Sequence, residues 1–367
     1  VHTTLESLSL ADGQWHDASP VGPAFRSMES LGTAGHRWVV AASTARHPDE
    51  VFRFDGRWTR LTNSNPWLRS KKLGKQTVET ITARDGLKIE GLLMYPVGYQ
   101  PGTRYPMVIV AHGGPESHFS NGWNTSYGRW GQLLCGRGYF AWLPNYRAST
   151  GRGVAFAKAD HGDPMGGEFE DHLDAIADFS QRGLVDPERI GIGGGSYGGY
   201  TAAWAATRHS KHFAAAVSFV PVVDLHTKWL CSDIPYEYFY VHYEEKWPHQ
   251  QKKLLAERSP LTYAERCTTP LLLLGGTSDT RVHPSQPHML YRAVQFATDT
   301  PCRYVQYPSE GHGNRRNVYR YDFCVRTLRW FDHYLKPGDH RRDPLPPRNI
   351  DVSVWKEWKS EVNKLNE

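Results

Sequence analysis

Residues 76–336 predict an α/β fold, a mostly parallel sheet with helices on both faces. Short apolar, β-branched strands alternate there with helical patterns, and strands that read as continuous apolar runs are those covered by crossover helices on both sides. Midway, a glycine-rich turn joins strand to helix at Gly194-Gly195-Ser196-Tyr197-Gly198. A third observation sets the rest apart. Residues 1–75 read as strands and turns, about one blade of a β-propeller, whereas a closed ring takes roughly 4–8 blades.

Along the chain, His36–Ser43 reads as a strand, Glu50–Phe54 alternates sides, Asp55-Gly56 turns and Arg57–Leu61 returns. Asn63–Lys75, polar and broken by Pro66, reads as a linker. Thr77–Ala83 and Leu87–Tyr95 flank Asp85-Gly86 as a hairpin. The strands that follow are Met107–Ala111, Tyr139–Leu143, Arg189–Gly193, Phe213–Val220, Pro270–Gly275 and Arg303–Tyr307. Helices are expected at about Tyr127–Arg137, Gly167–Arg182, Tyr197–Thr207, Pro284–Phe296 and Val318–Leu335. Leu225–Lys253, rich in Trp and Tyr, reads both as a helical cap on the core and as a lid whose aromatics wall a cleft. The expected division is 1–75, an incomplete propeller segment with its linker; 76–336, the α/β domain; and 337–367, an extended tail.

Composition excludes several classes. Hydrophobic residues make up 39% and aromatic ones 13%, so a disordered chain is ruled out. No apolar run approaches the ~18–20 residues of a membrane span. The charge of +5 comes with no long basic run, which argues for a mixed solvated surface and against nucleic-acid binding. The five cysteines form no Cys-x-x-Cys pair, and no His-Glu-x-x-His occurs, so no metal or other cofactor is expected. The first residue is Val1, and the chain is expected to be processed or a piece of something longer.

The chemistry centres on Ser196. In a strand-to-helix elbow the flanking glycines allow close approach, and the hydroxyl stands above the sheet at the positive end of a helix. A serine hydroxyl needs a base, and the order expected for this architecture is serine, acid, histidine. Asp279 follows the strand Leu271–Gly275, and His312 follows Arg303–Tyr307 in a glycine-flanked loop. Asp299 and Glu310 compete for the acid role, and His283 and His288 for the base, from placements inside or beside helices. His112-Gly113-Gly114-Pro115 directly follows the strand Met107–Ala111. Its turn can supply one backbone N–H to an oxyanion, at Gly114, and Tyr197 supplies the other.

These segments resemble the prolyl oligopeptidase family of serine peptidases, in its acylaminoacyl-peptidase and dipeptidyl-peptidase branches. Gly193–Gly199, Gly276–Val282, Glu310–Gly313, Asn145–Gly151, Ser232–Ile234 and Ser259–Leu261 carry the resemblance, which is close over about 75–336. It implies an α/β-hydrolase fold and a serine-type peptidase acting on short peptides through an acyl-enzyme. Ser196, Asp279 and His312 would form the triad, and a propeller would restrict access. It also implies that Arg281 hydrogen-bonds a substrate carbonyl and that Tyr197, Val222 and Val282 line the primary specificity pocket. Prolyl oligopeptidases and dipeptidyl peptidases place a tyrosine where His112 stands; here His112 resembles the acylaminoacyl-peptidase branch. The remaining propeller blades are expected on a longer precursor or a separate chain, and a homo-oligomer is compatible with the family. Two rival readings are a carboxylesterase or other acyl hydrolase on the same fold and a non-catalytic binding module.

Overall fold

In the computed structural model, residues 5–8, 11–19, 24–30 and 38–338 are described. The first strands, β1 (Leu5–Leu8) and β2 (Trp15–Ser19), pair antiparallel. A four-stranded antiparallel sheet follows, ordered β3 (Ala24–Ser30), β4 (Trp38–Thr44), β5 (His47–Phe54) and β6 (Trp58–Arg60). Val40, Ala42 and Phe52 form its small core. Of the strand expected at His36–Ser43, His36 and Arg37 lie outside the described residues. The expected linker contains a 3₁₀ turn at Pro66–Ser70.

The main sheet has eight strands, β7 (Gln76–Thr82), β8 (Lys88–Met94), β9 (Tyr105–Ala111), β12 (Phe140–Asn145), β13 (Val185–Gly195), β14 (Ala215–Phe219), β15 (Leu271–Gly276) and β16 (Cys302–Tyr307). Their order is β16-β15-β14-β13-β9-β12-β8-β7. The six strands from β16 to β12 run parallel, and β8 and β7 close one edge antiparallel. Successive residues face opposite cores, as strand geometry requires. On β15, Leu271 and Leu273 face one core while Leu272 and Leu274 face the other.

Helices cover both faces. Residues of α3 (Gly167–Gln181), α4 (Tyr197–Arg208) and α8 (Ser285–Ala297) pack into the first core. Residues of α1 (Gly131–Cys135) and α9 (Asn317–Leu335) pack into the second. The short α2 spans Val154–Ala157. This is the α/β-hydrolase arrangement expected, preceded by an antiparallel sheet segment.

The helix expected at Tyr127–Arg137 is corrected. A tight hairpin, β10 (Thr125–Ser126) with β11 (Arg129–Trp130), occupies its first half, and α1 keeps only the second. The competition is local: the Gln132 N–H donates to Thr125 Oγ1 at 2.8 Å and the Gly131 N–H to the Asn124 carbonyl at 3.2 Å. Leu225–Lys253, expected as a helical cap or a lid, is built from short helical pieces. It breaks into α5 (Leu225–Leu230), α6 (Pro235–Glu237) and a π-turn at Tyr238–His242, with α7 (Lys252–Glu257) closing the segment. Pro235 and Pro248 each open a new short helix, as a residue without an N–H does best. Beyond Gly338, the tail expected over 337–367 lies outside the described residues.

Candidate active site

A single residue turns the chain between β13, ending at Gly195, and α4, starting at Tyr197. That residue is Ser196, held at φ 59° and ψ −118°. A side chain at positive φ is strained, and the strain is maintained by what surrounds it. The Ser196 N–H donates to the Phe219 carbonyl at 3.0 Å, and the Tyr200 N–H donates to the Ser196 carbonyl at 2.9 Å. Close approach is needed on the far side, where a Cβ on Gly198 would stand 2.2 Å from the Ala111 carbonyl oxygen. The end of β9 thereby lies against the start of α4, and the loop following β9 reaches the Ser196 hydroxyl.

Asp279 and His312 come from loops after neighbouring strands, β15 and β16. Asp279 is 3% exposed. Its Oδ1 accepts the Arg281 and Val282 N–H groups, each at 2.9 Å, and its Oδ2 lies 2.8 Å from His312 Nδ1. An ionised carboxylate only accepts, so Nδ1 carries the imidazole proton and Nε2 keeps a lone pair. The competitors point elsewhere. Glu310 accepts from the Arg315 and Arg316 N–H groups of its own loop. His283 bonds Ser285, and His288 lies beside Arg292.

His112, at the start of the loop after β9, is buried. Its ring stacks on Tyr146 with centroids 4.3 Å apart, and burial holds it down to about 4, so it is neutral. Nδ1 lies 2.9 Å from the Gly113 carbonyl and Nε2 2.9 Å from Ser149 Oγ. A carbonyl cannot donate, so Nδ1–H donates to Gly113 O and Nε2 accepts from Ser149. In a trans peptide the carbonyl and the next N–H point in opposite directions, so fixing Gly113 O also fixes the direction of the Gly114 N–H.

Gly114, Ser196, Tyr197, Val222, Arg281, Val282 and His312 all line one cleft of about 320 Å³. The sequence expectations are therefore brought together, with Asp279 behind His312. Arg281 is steered by Asp233, whose Oδ1 accepts from its Nε at 2.6 Å. Ser196 and His312 thus share the cleft, and Asp279 holds the His312 ring by Nδ1.

The profile of the Prolyl oligopeptidase family matches residues 125–338. Dipeptidyl aminopeptidase BIII of Pseudoxanthomonas mexicana is 32% identical over 311 residues, covering 81% of this chain and 44% of that protein. The chain belongs to the prolyl oligopeptidase family. The acylamino-acid-releasing enzyme of Rattus norvegicus is 27% identical over 68% of the chain, which spans 34% of that enzyme. Among solved structures, the acylaminoacyl peptidase of Pyrococcus horikoshii matches 91% of this chain with a TM-score of 0.80 and 25% identity, over 53% of its own length. The chain thus spans about half the length of relatives that it matches, or less.

In this prolyl oligopeptidase family chain, aromatics of Leu225–Lys253 lie between the core and the cleft. Trp229, Tyr238 and Tyr243 pack on one another while Tyr238 and Tyr243 also face the cleft. Other groups around the cleft were not singled out in the sequence: Asp160, Glu237 and His242 line it, and Glu116 stands beside His242. They come from three separate segments, Glu237 and His242 lying in adjoining turns, so no single spacing announces them all. Glu116, His161 and His242 each place one ligand atom within 4.8 Å of the others, a set able to hold a divalent cation. Burial lowers both imidazoles, His242 to about 4.

Proposed function

We propose that this chain carries the catalytic centre of a serine peptidase cleaving short peptides through an acyl-enzyme. The observation that carries this reading is the 2.8 Å contact of His312 Nδ1 with Asp279, beside a serine at positive φ on the same cleft. Ser196 Oγ attacks the scissile carbonyl carbon and His312 Nε2 takes its proton. The Gly114 and Tyr197 N–H groups stabilise the oxyanion. His312 then protonates the leaving amine, and water, activated by the same imidazole, releases the acyl group from Ser196. Asp279 keeps the ring in the required tautomer and stabilises the imidazolium. Arg281 holds an upstream substrate carbonyl, and Val222 and Val282 shape the primary pocket. The reading includes the division near residue 75 and a propeller, completed beyond the blade-sized sheet β3–β6, that limits substrate size.

An active-serine phosphonate probe tests it. Adduct formation at Ser196, with aminoacyl-anilide turnover exceeding that of a matched short acyl ester, supports a peptidase. Ester turnover alone moves the assignment to a carboxylesterase, and an unlabelled Ser196 removes catalysis.

His112 enters as a positioning residue. His112→Phe retains an aromatic ring on Tyr146 but loses both hydrogen bonds. We expect kcat to fall about 10–10²-fold with KM nearly unchanged. A purely structural role would lower the melting temperature and leave kcat per folded molecule intact.

A further inference from the structure

Beside Ser196 the protein buries more carboxylate than it neutralises. Asp160 is 2% exposed, lines the cleft, and its Oδ1 has no hydrogen-bond partner. Glu168, 1% exposed, accepts from the Tyr197 hydroxyl at 2.8 Å and from the Met165 N–H through Oε1, while Oε2 has no partner. Glu116 Oε1 is also without a hydrogen bond, and Glu237 completes the acidic wall. Burying a polar oxygen without a partner is unfavourable, and native folds complete such an oxygen with water, an ion or a ligand.

The neighbouring cations do not answer this charge. Arg281 is held by Asp233, and Lys228 donates to Ser232 at 2.8 Å. The strongest charges acting on Asp160 are Glu116 and Asp163, both negative. The other lining residues include Tyr197, Tyr200, Tyr238 and Tyr243 together with Val222, Leu225, Ile234 and Val282, and tyrosine faces attract a cation as well as apolar atoms. Tyr197 directly follows the candidate nucleophile, so the pocket it walls opens beside the acyl carbon.

We propose that this pocket is a cation subsite in which Asp160, backed by Glu168 and Glu116 and walled by tyrosines, binds the ammonium or guanidinium group of the substrate residue that acylates Ser196. The proposal rests on the peptidase reading for the substrate's placement. The cation has two possible sources, a basic side chain or the free amino group of a peptide's first residue, and three probes separate them. Acetyl-lysinamide carries only the side-chain cation, norleucinamide only the α-ammonium, and acetyl-norleucinamide neither.

Binding of each is measured by titration calorimetry to the full chain bearing Ser196→Ala, with a chelator present so that no metal on Glu116, His161 and His242 contributes. One cationic probe should bind at least about tenfold more tightly than acetyl-norleucinamide, and adding Asp160→Asn should remove that advantage. The tighter cationic probe identifies the source. Equal binding of all three probes overturns the proposal without needing any Asp160 variant, as does a preference that survives Asp160→Asn. Because the binding protein does not turn over, the result is independent of the phosphonate and anilide measurements, whose failure would instead remove the peptidase reading.

Discussion

Ser196→Ala lowers kcat for an aminoacyl-anilide by about 10⁶-fold, to the level that binding and oxyanion stabilisation alone provide. The argument rests on what the substitution leaves in place. Alanine at 196 keeps the Cβ, the backbone bonds to Phe219 and Tyr200 and the close contact of Gly198 with Ala111. Only the hydroxyl is lost, so the thermal midpoint should stay within a few degrees of wild type. Single-turnover kinetics with a purified, sequence-verified variant make the measurement. Retained peptide cleavage at more than a few per cent would remove Ser196 as nucleophile.

Asp279→Asn is expected to cost ~10⁴-fold in kcat. Asparagine can still accept the Arg281 and Val282 N–H groups through its carbonyl oxygen, taking over the contacts of Oδ1. Its amide nitrogen then faces His312 Nδ1. A donor there demands an acceptor, so the imidazole proton moves to Nε2, where it cannot take one from Ser196. A kcat within tenfold of wild type would shift the orienting role to another acid. A fall in kcat with an unchanged melting temperature separates this tautomer effect from unfolding.

The candidate site was legible in the sequence to the extent that its chemistry is bound to chain order. Gly194–Gly198 announces an elbow because only glycines allow a strand and a helix to meet so closely. Asp279 and His312 were readable because each follows an apolar strand that runs in the same direction as the serine's own. The expectation for Tyr127–Arg137 failed because side-chain and backbone acceptors at Asn124 and Thr125 capture its amides, a competition that helical periodicity does not register. The role of His112 was also hidden. Its position was readable, but its stacking on Tyr146 and its hold on Gly113 depend on which way the ring turns.

The sequence alone determined the alternation of strands and helices, the parallel sheet and the order of serine, acid and histidine, because these are set by local periodicity and by the direction of successive strands. Only the tertiary structure decided the character of the pocket. Glu116, Asp160, Glu168 and Glu237 lie on separate segments, and each alone reads as an ordinary surface acid. Folding takes Asp160 and Glu168 from water, leaves three oxygens of Glu116, Asp160 and Glu168 without hydrogen bonds and sets the acids of the cleft beside tyrosine rings, and desolvation is what turns scattered carboxylates into a site for a cation.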